Sequence, residues 1–248
     1  MEYNPFTLID KNILVTGASS GIGLATAIEC SRMSANLVVT GRDKERLDTC
    51  LNSLTGSHHS CFQADLTKNE ELMQMVAQVP VLDGVVICAG QGTSLPIKSA
   101  NTQKYLDLFE INFFAPVEML RLLLKSRKLS NGASIVIIAS IGGIFRFEPA
   151  NAVYGTSKAA INTYMKFAAL EFAAKGIRVN SICPGMVETP LMKNGRFSEE
   201  QLENYKETYP LKRFGKPVEI GQAAVYLLSD AASWITGTSL VIDGGMSI

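Results

Sequence analysis

The chain has 248 residues, 47% of them hydrophobic and 19% charged, a composition that excludes a disordered or low-complexity protein and suits one ordered α/β domain spanning 1–248. Its 23 basic and 23 acidic side chains cancel, so neither nucleic acid nor an anionic membrane surface is expected as the main partner. Five cysteines, an odd number with no C-x-x-C spacing, argue against a disulfide framework or a zinc site and point to a reducing, cytoplasmic setting with no metal.

In chain order, an apolar run at Asn12–Thr16 precedes a helical pattern near 22–34. Runs at Leu37–Thr40, Ser60–Gln63, Gly84–Cys88, Ser134–Ala139 and Arg178–Ile182 precede helical patterns near 44–54, 69–78, 102–126, 153–174 and 217–228, and Ser239–Ile242 closes the series. Several runs are rich in Val and Ile without polar alternation, the mark of strands buried on both faces. Strand and helix alternating in this way predict a doubly wound parallel sheet with right-handed crossovers, whose ligands bind beyond the carboxyl ends of the strands. No apolar run reaches the roughly 18 residues that span a bilayer, and Met1–Asp10 has no basic-then-apolar leader, so a soluble, unexported protein is expected.

The first strand runs into Thr16-Gly17-Ala18-Ser19-Ser20-Gly21-Ile22-Gly23 and then a helix. Glycines there let a phosphate approach the backbone, and the helix start offers free N–H groups and a favourable dipole, so the turn reads as a dinucleotide site. The same residues match a G-x-S-x-G nucleophile elbow, but that chemistry needs a histidine later in the chain, and the only two are His58 and His59. The second strand ends Thr40-Gly41-Arg42. Gly41 supplies no acid for ribose hydroxyls, while Arg42 suits a 2′-phosphate, which favours NADP(H) over NAD(H). Asp43 reads as the N-cap of the next helix.

Ser140 follows the fifth run, and fourteen residues later come Tyr154 and, four further on, Lys158. That spacing puts Tyr154 and Lys158 on one helix face. A nearby ammonium stabilises a tyrosinate, so the phenol can exchange a proton with an alkoxide while Ser140 donates a hydrogen bond to the reacting oxygen. Y-x-x-x-K alone is common by chance. Its order after a strand-end serine and a dinucleotide turn is what gives it weight.

Together with Ala89-Gly90, Asn112, Pro184-Gly185-Met186-Val187-Glu188-Thr189 and Asp243-Gly244-Gly245, these residues resemble the short-chain dehydrogenase/reductase family over essentially the whole chain, and most of all its 3-oxoacyl-(acyl-carrier-protein) reductase branch. The resemblance implies a Rossmann-type sheet of about seven strands in the order 3-2-1-4-5-6-7 and an enzyme interconverting a carbonyl and a secondary alcohol. It implies Tyr154 as general acid/base, Ser140 polarising the carbonyl, Lys158 also holding the nicotinamide ribose, and Asn112 holding a relay water. Gly17, Ser19, Ser20, Gly21, Ile22, Gly23 and Arg42 would bind the cofactor, with Asp65 and Leu66 at the adenine, Ala89 and Gly90 beneath, and Pro184, Gly185, Val187 and Thr189 about the nicotinamide and phosphates. One departure stands out: Cys88-Ala89-Gly90 replaces the usual Asn-Ala-Gly, and a thiol ties backbone together more weakly than an amide.

By the same resemblance the segment 188–210, with Met192, Gly195, Phe197, Tyr205 and Tyr209, is a mobile lid over the substrate. The helices near 102–126 and 153–174 would form a four-helix interface in a homo-oligomer, a tetramer being favoured, through Met119, Leu120, Leu123, Leu124, Tyr164, Phe167 and Phe172. An acyl carrier protein would need basic residues near the site mouth, and Lys175 or Lys125, Arg127 and Lys128 are the candidates, although Leu170 stands where many such reductases carry arginine. The same machinery serves sugars, polyols, steroids and other secondary alcohols. A cofactor-sensing protein without turnover is the non-enzymatic alternative.

Overall fold

The computed structural model describes residues 3–193 and 198–248. Its strands are β1 (Asn12–Thr16), β2 (Asn36–Gly41), β3 (Ser60–Gln63), β4 (Leu82–Ile87), β5 (Leu129–Ile138), β6 (Arg178–Pro184) and β7 (Ser239–Ile242). They form one sheet in the order β3-β2-β1-β4-β5-β6-β7, every neighbouring pair parallel. The helices are α1 (Gly21–Arg32), α2 (Lys44–Asn52), α3 (Asn69–Gln78), α4 (Thr102–Phe109), α5 (Ala115–Lys125), α6 (Ala152–Phe172), α7 (Glu199–Glu207) and α8 (Pro217–Leu228).

The uninterrupted apolar strands follow from the two covered faces. Successive side chains point to opposite sides of a strand. Ile13 and Val15 therefore enter a core with Ala27 of α1 and Ile220, Ala224 and Leu228 of α8. Leu14 enters the other, with Met119, Leu120 and Leu123 of α5 and Ile161 and Met165 of α6. A smaller cluster of Ile141, Cys183, Tyr209, Phe214 and Met246 lies at and beyond the carboxyl ends of β5 and β6. Strand order reverses between β1 and β4, which opens a crevice at their carboxyl ends.

The helix expected over 102–126 is in fact two. A π-helical turn, Glu110–Phe114, joins α4 to α5 and has Asn112 at its centre. Pro116 at the start of α5 has no N–H to offer the Asn112 carbonyl, its partner in α-helical geometry. The interface expectation also needs correction. Met119, Leu120 and Leu123 are core residues, and Leu124, Tyr164 and Phe172 pack against that core. The outward apolar residues are Phe167 and Leu170 of α6, 61% and 77% exposed, with Leu106 of α4 and Phe114 also exposed. Among the described residues no helix is long and apolar enough to cross a membrane.

Candidate active site

The glycine turn between β1 and α1 is built as a cradle. Gly17 has φ +66°, and a Cβ on Gly23 would lie 2.3 Å from the Gly17 carbonyl oxygen, so the chain can close on itself only without side chains. Ser20, the extended residue before α1, makes no side-chain cap, and the first turn holds no acid. Asp43, Asn101 and Ser198 cap α2, α4 and α7 through their side chains, whereas α3, α5 and α6, like α1, have no such cap. An uncapped start free of negative charge fits a dinucleotide pyrophosphate. Thr189 closes the cradle from above, since a Cβ on Gly21 would meet its Cγ2 at 3.2 Å. His58 and His59 precede the amino end of β3, whereas Ser19 follows the carboxyl end of β1 in the same parallel sheet, and the His59 ring is engaged there, accepting from the Leu37 amide at 3.1 Å and facing the Thr55 carbonyl at 2.9 Å, so neither histidine serves Ser19 as a nucleophile's base.

Arg42 and Asp65 follow the carboxyl ends of β2 and β3, on the β3 side of the crevice. Arg42 is exposed, and its carbonyl accepts from Gln63 Nε2 at 2.9 Å. Asp65 Oδ1 accepts from the Thr67 amide at 3.1 Å and hydroxyl at 2.7 Å. Burial pushes the Asp65 carboxyl up, but those hydrogen bonds and the charges of Arg42 and Lys68 outweigh it and hold the group below its usual range. The Leu66 side chain is buried in the core, so any contact it makes with adenine is through its backbone.

At the carboxyl ends of β4, β5 and β6 lies a cavity of about 770 Å³ lined by Ile22, Cys88, Gly90, Ser140, Tyr154, Lys158, Pro184, Gly185, Val187 and Thr189, among others. Lys158 is 6% exposed, donates to the Ile138 carbonyl at 2.8 Å, and sits 6.0 Å from the centre of the Tyr154 ring. Burial pushes its pKa down to about 8, with Cys88 and Cys183 opposing weakly. Ser140 Oγ accepts from the Gly142 amide at 3.0 Å, which leaves its own proton for another oxygen. Gly143 has φ +83°, and a Cβ there would lie 2.2 Å from the Gly155 carbonyl oxygen; this contact brings the turn after Ser140 against the residue next to Tyr154.

Asn112 binds the loop after β4. Its Oδ1 accepts from the Gln91 amide and its Nδ2 donates to the Gln91 carbonyl, both at 2.9 Å, while the second amide hydrogen goes to Ser157 Oγ at 3.0 Å. Both side-chain hydrogens are spent, so a relay water would be held by an oxygen of this residue. Thr16 Oγ1 accepts from the Cys88 and Ala89 amides, each at 3.0 Å, and so ties β1 to β4 where the family asparagine would act. Burial pushes the Cys88 thiol up to about 12, which leaves it a neutral filler.

The Val187–Gly215 bridge uses the Met186 carbonyl and the Glu188 amide, so Val187's own N–H and C=O face the other way. Tyr209 Oη accepts from the Met186 amide at 2.9 Å and anchors the same loop. Of the expected lid, Met192, Tyr205 and Tyr209 line the cavity, whereas Gly195 and Phe197 fall outside the described residues. Sequence reasoning missed Gln91, Arg146, Glu148 and Asn151, all lining residues from the loops after β4 and β5. The strand-end rule pointed to those loops without selecting residues in them. The basic candidates Lys125, Arg127, Lys128 and Lys175 precede the amino ends of β5 and β6, at the opposite end of the sheet.

The family model described as Enoyl-(Acyl carrier protein) reductase matches residues 17–247. A glucose 1-dehydrogenase of Gluconobacter oxydans is 30% identical over 247 residues, covering 96% of this chain and 92% of its own. A 3-oxoacyl-(acyl-carrier-protein) reductase of Rickettsia felis is 30% identical over 243 residues, covering 96% and 98%. The structure of an actinorhodin polyketide ketoreductase with NADPH superposes with a TM-score of 0.87 at 30% identity, covering 96% of this chain and 97% of its own. Matching in sequence, in strand order and over nearly its full length, the chain belongs to the short-chain dehydrogenase/reductase family.

Proposed function

We propose that this protein is an NADP(H)-dependent oxidoreductase that interconverts a carbonyl and a secondary alcohol. The observation that carries the reading is the convergence of Ser140, Tyr154 and Lys158 on one cavity, beside an uncapped helix start suited to a pyrophosphate. When bound, the nicotinamide supplies or accepts the hydride. Ser140, oriented by the Gly142 amide, directs its proton at the substrate oxygen. Tyr154 gives that oxygen a proton in reduction and takes it back in oxidation. The Lys158 ammonium favours the phenolate left behind and holds the ribose hydroxyls. Asn112 fixes the loop after Gly90 through Gln91 and holds the water that returns protons to Lys158.

The absence of an acid at Gly41 and the exposed cation at Arg42 support NADP(H) over NAD(H). Of the substrate readings, a free ketone or secondary alcohol of sugar, polyol, steroid or similar kind is favoured, since the basic candidates for a carrier protein lie at the far end of the sheet. A 3-oxoacyl thioester is the second reading, which the Rickettsia relative supports. The exposed Phe167 and Leu170 on α6 support a homo-oligomer, with a tetramer favoured.

The test is a matrix of NADPH and NADH against acetoacetyl thioesters, free ketones and, in reverse, sugars, polyols and steroid alcohols. Faster turnover with NADPH on at least one carbonyl is expected. Tight NADPH binding without oxidation across the matrix would instead make the protein a cofactor sensor.

A further inference from the structure

We infer that Glu148 is a positioning residue, the clamp that fastens α7 across the substrate side of the cavity. Glu148 lies in the loop between β5 and α6, and its Oε1 accepts from the Tyr205 hydroxyl of α7 at 2.7 Å and from Arg146 Nε at 2.8 Å. Arg146 Nη1 reaches on to the Met246 carbonyl at 3.2 Å. One carboxylate oxygen and one guanidinium thus join the loop after β5, the helix α7 and the C-terminal turn. Arg146, Glu148 and Tyr205 all line the cavity.

The weight rests on the Tyr205 bond rather than on the ion pair. The Arg146 and Glu148 side chains are 33% and 37% exposed, and an exposed pair of neighbours contributes little. Tyr205 is half-buried, and its bond, made at the exposed mouth of the cavity to the same carboxylate, spans 57 residues of sequence, so it closes one segment onto another where the ion pair joins only near neighbours. Burial, with the Glu148 bond adding to it, pushes the Tyr205 phenol above its ordinary range, so the hydroxyl stays a donor. The ring is seated independently, edge-on to Tyr209 at 5.8 Å and tilted against Phe214 at 6.0 Å. Removing the hydroxyl alone therefore releases the clamp without emptying the aromatic cluster. With the clamp closed, the Arg146 charge is met from within the protein, and α7 stays over a substrate that has entered.

The turnover part of the test rests on the proposed oxidoreductase reading, and the exchange part does not. Amide hydrogen exchange of α7 is measured with NADPH present in the wild type, Tyr205→Phe, Glu148→Gln, Glu148→Ala and the Tyr205→Phe/Glu148→Ala double variant. Tyr205→Phe and Glu148→Ala should speed α7 exchange by about fivefold or more, with α6 and β5 unchanged. Glu148→Gln, which keeps an acceptor, should fall between, and the double variant should match Glu148→Ala because that change already breaks the Tyr205 bond that Tyr205→Phe removes. In turnover, KM for the carbonyl should rise by a similar factor, while kcat stays within about twofold and NADPH affinity holds. Unchanged α7 exchange, an additive double variant, exchange that quickens equally in α6 and β5, or a fall in kcat at constant KM would each overturn the clamp. If the wild type turns over no carbonyl, the oxidoreductase reading fails and the exchange rates still decide the clamp.

Discussion

Lys158 donates to the carbonyl of Ile138, the last residue of β5, at 2.8 Å from a site where it is 6% exposed. Burial holds its pKa near about 8 against 10.5 in the unfolded chain. Between those values the unfolded state binds more protons than the folded one, so stability rises with pH there. The cost of burying this ammonium is present in full below about 8 and fades as pH climbs toward 10.5. Relative to Lys158→Met, the wild type should therefore gain on the order of 2–3 kcal/mol between pH 7 and 10.5. Urea unfolding of both cofactor-free proteins across that range checks it. The lost bond to Ile138 adds a constant offset, so the trend is diagnostic, and a difference independent of pH would refute the buried charge.

Thr16 is fully buried and accepts from two amides just past the end of β4, those of Cys88 and Ala89. Thr16→Val keeps the shape and strands both donors, so a loss of about 1–3 kcal/mol is expected, with turnover falling because Ala89-Gly90 shifts. Thr16→Ser, which keeps the acceptor, should recover most of both. Equal stability of the valine and serine variants would show that the hydroxyl does not tie the strands.

How much of this was legible beforehand differs by element. The sheet was readable because strands buried on both faces write an unbroken apolar run, as at Ile13, Leu14 and Val15. The Tyr154–Lys158 face was readable because helical spacing is local. The break at Glu110–Phe114 was not, although Pro116 marked it, since the long apolar pattern outweighed one proline. Thr16 stood inside the recognised turn, but its bond partners are 72 and 73 residues away, and no periodicity encodes such a distance. The Glu148–Tyr205 bond was hidden for the same reason. Of the interface residues, Phe167 is exposed while Met119, Leu120 and Leu123 are core, because an amphipathic helix does not announce which apolar stripe faces its own sheet.

Arg42 is exposed at the end of β2, free to meet a phosphate at the cost of little desolvation. Arg42→Ala should weaken NADPH binding by roughly tenfold or more and leave NADH within about twofold. Titration of each cofactor by fluorescence measures it, and equal weakening of the two would remove the case for NADP(H).

Phe167 and Leu170, 61% and 77% exposed on α6, are the apolar surface on which the proposed homo-oligomer rests. The double substitution Phe167→Glu/Leu170→Glu should convert an oligomer into smaller species without loss of helix content. Light scattering with circular dichroism reads both, and an unchanged mass would place the interface elsewhere.

The kcat of Tyr154→Phe, measured beside its NADPH dissociation constant, bears hardest on the proposed chemistry. Loss of the phenolic proton should cut kcat by about 100-fold or more while NADPH affinity stays within a few-fold. Turnover near the wild-type rate, with the cofactor bound normally, would mean that another group carries the proton and that the Ser140, Tyr154 and Lys158 cluster is not the reacting centre.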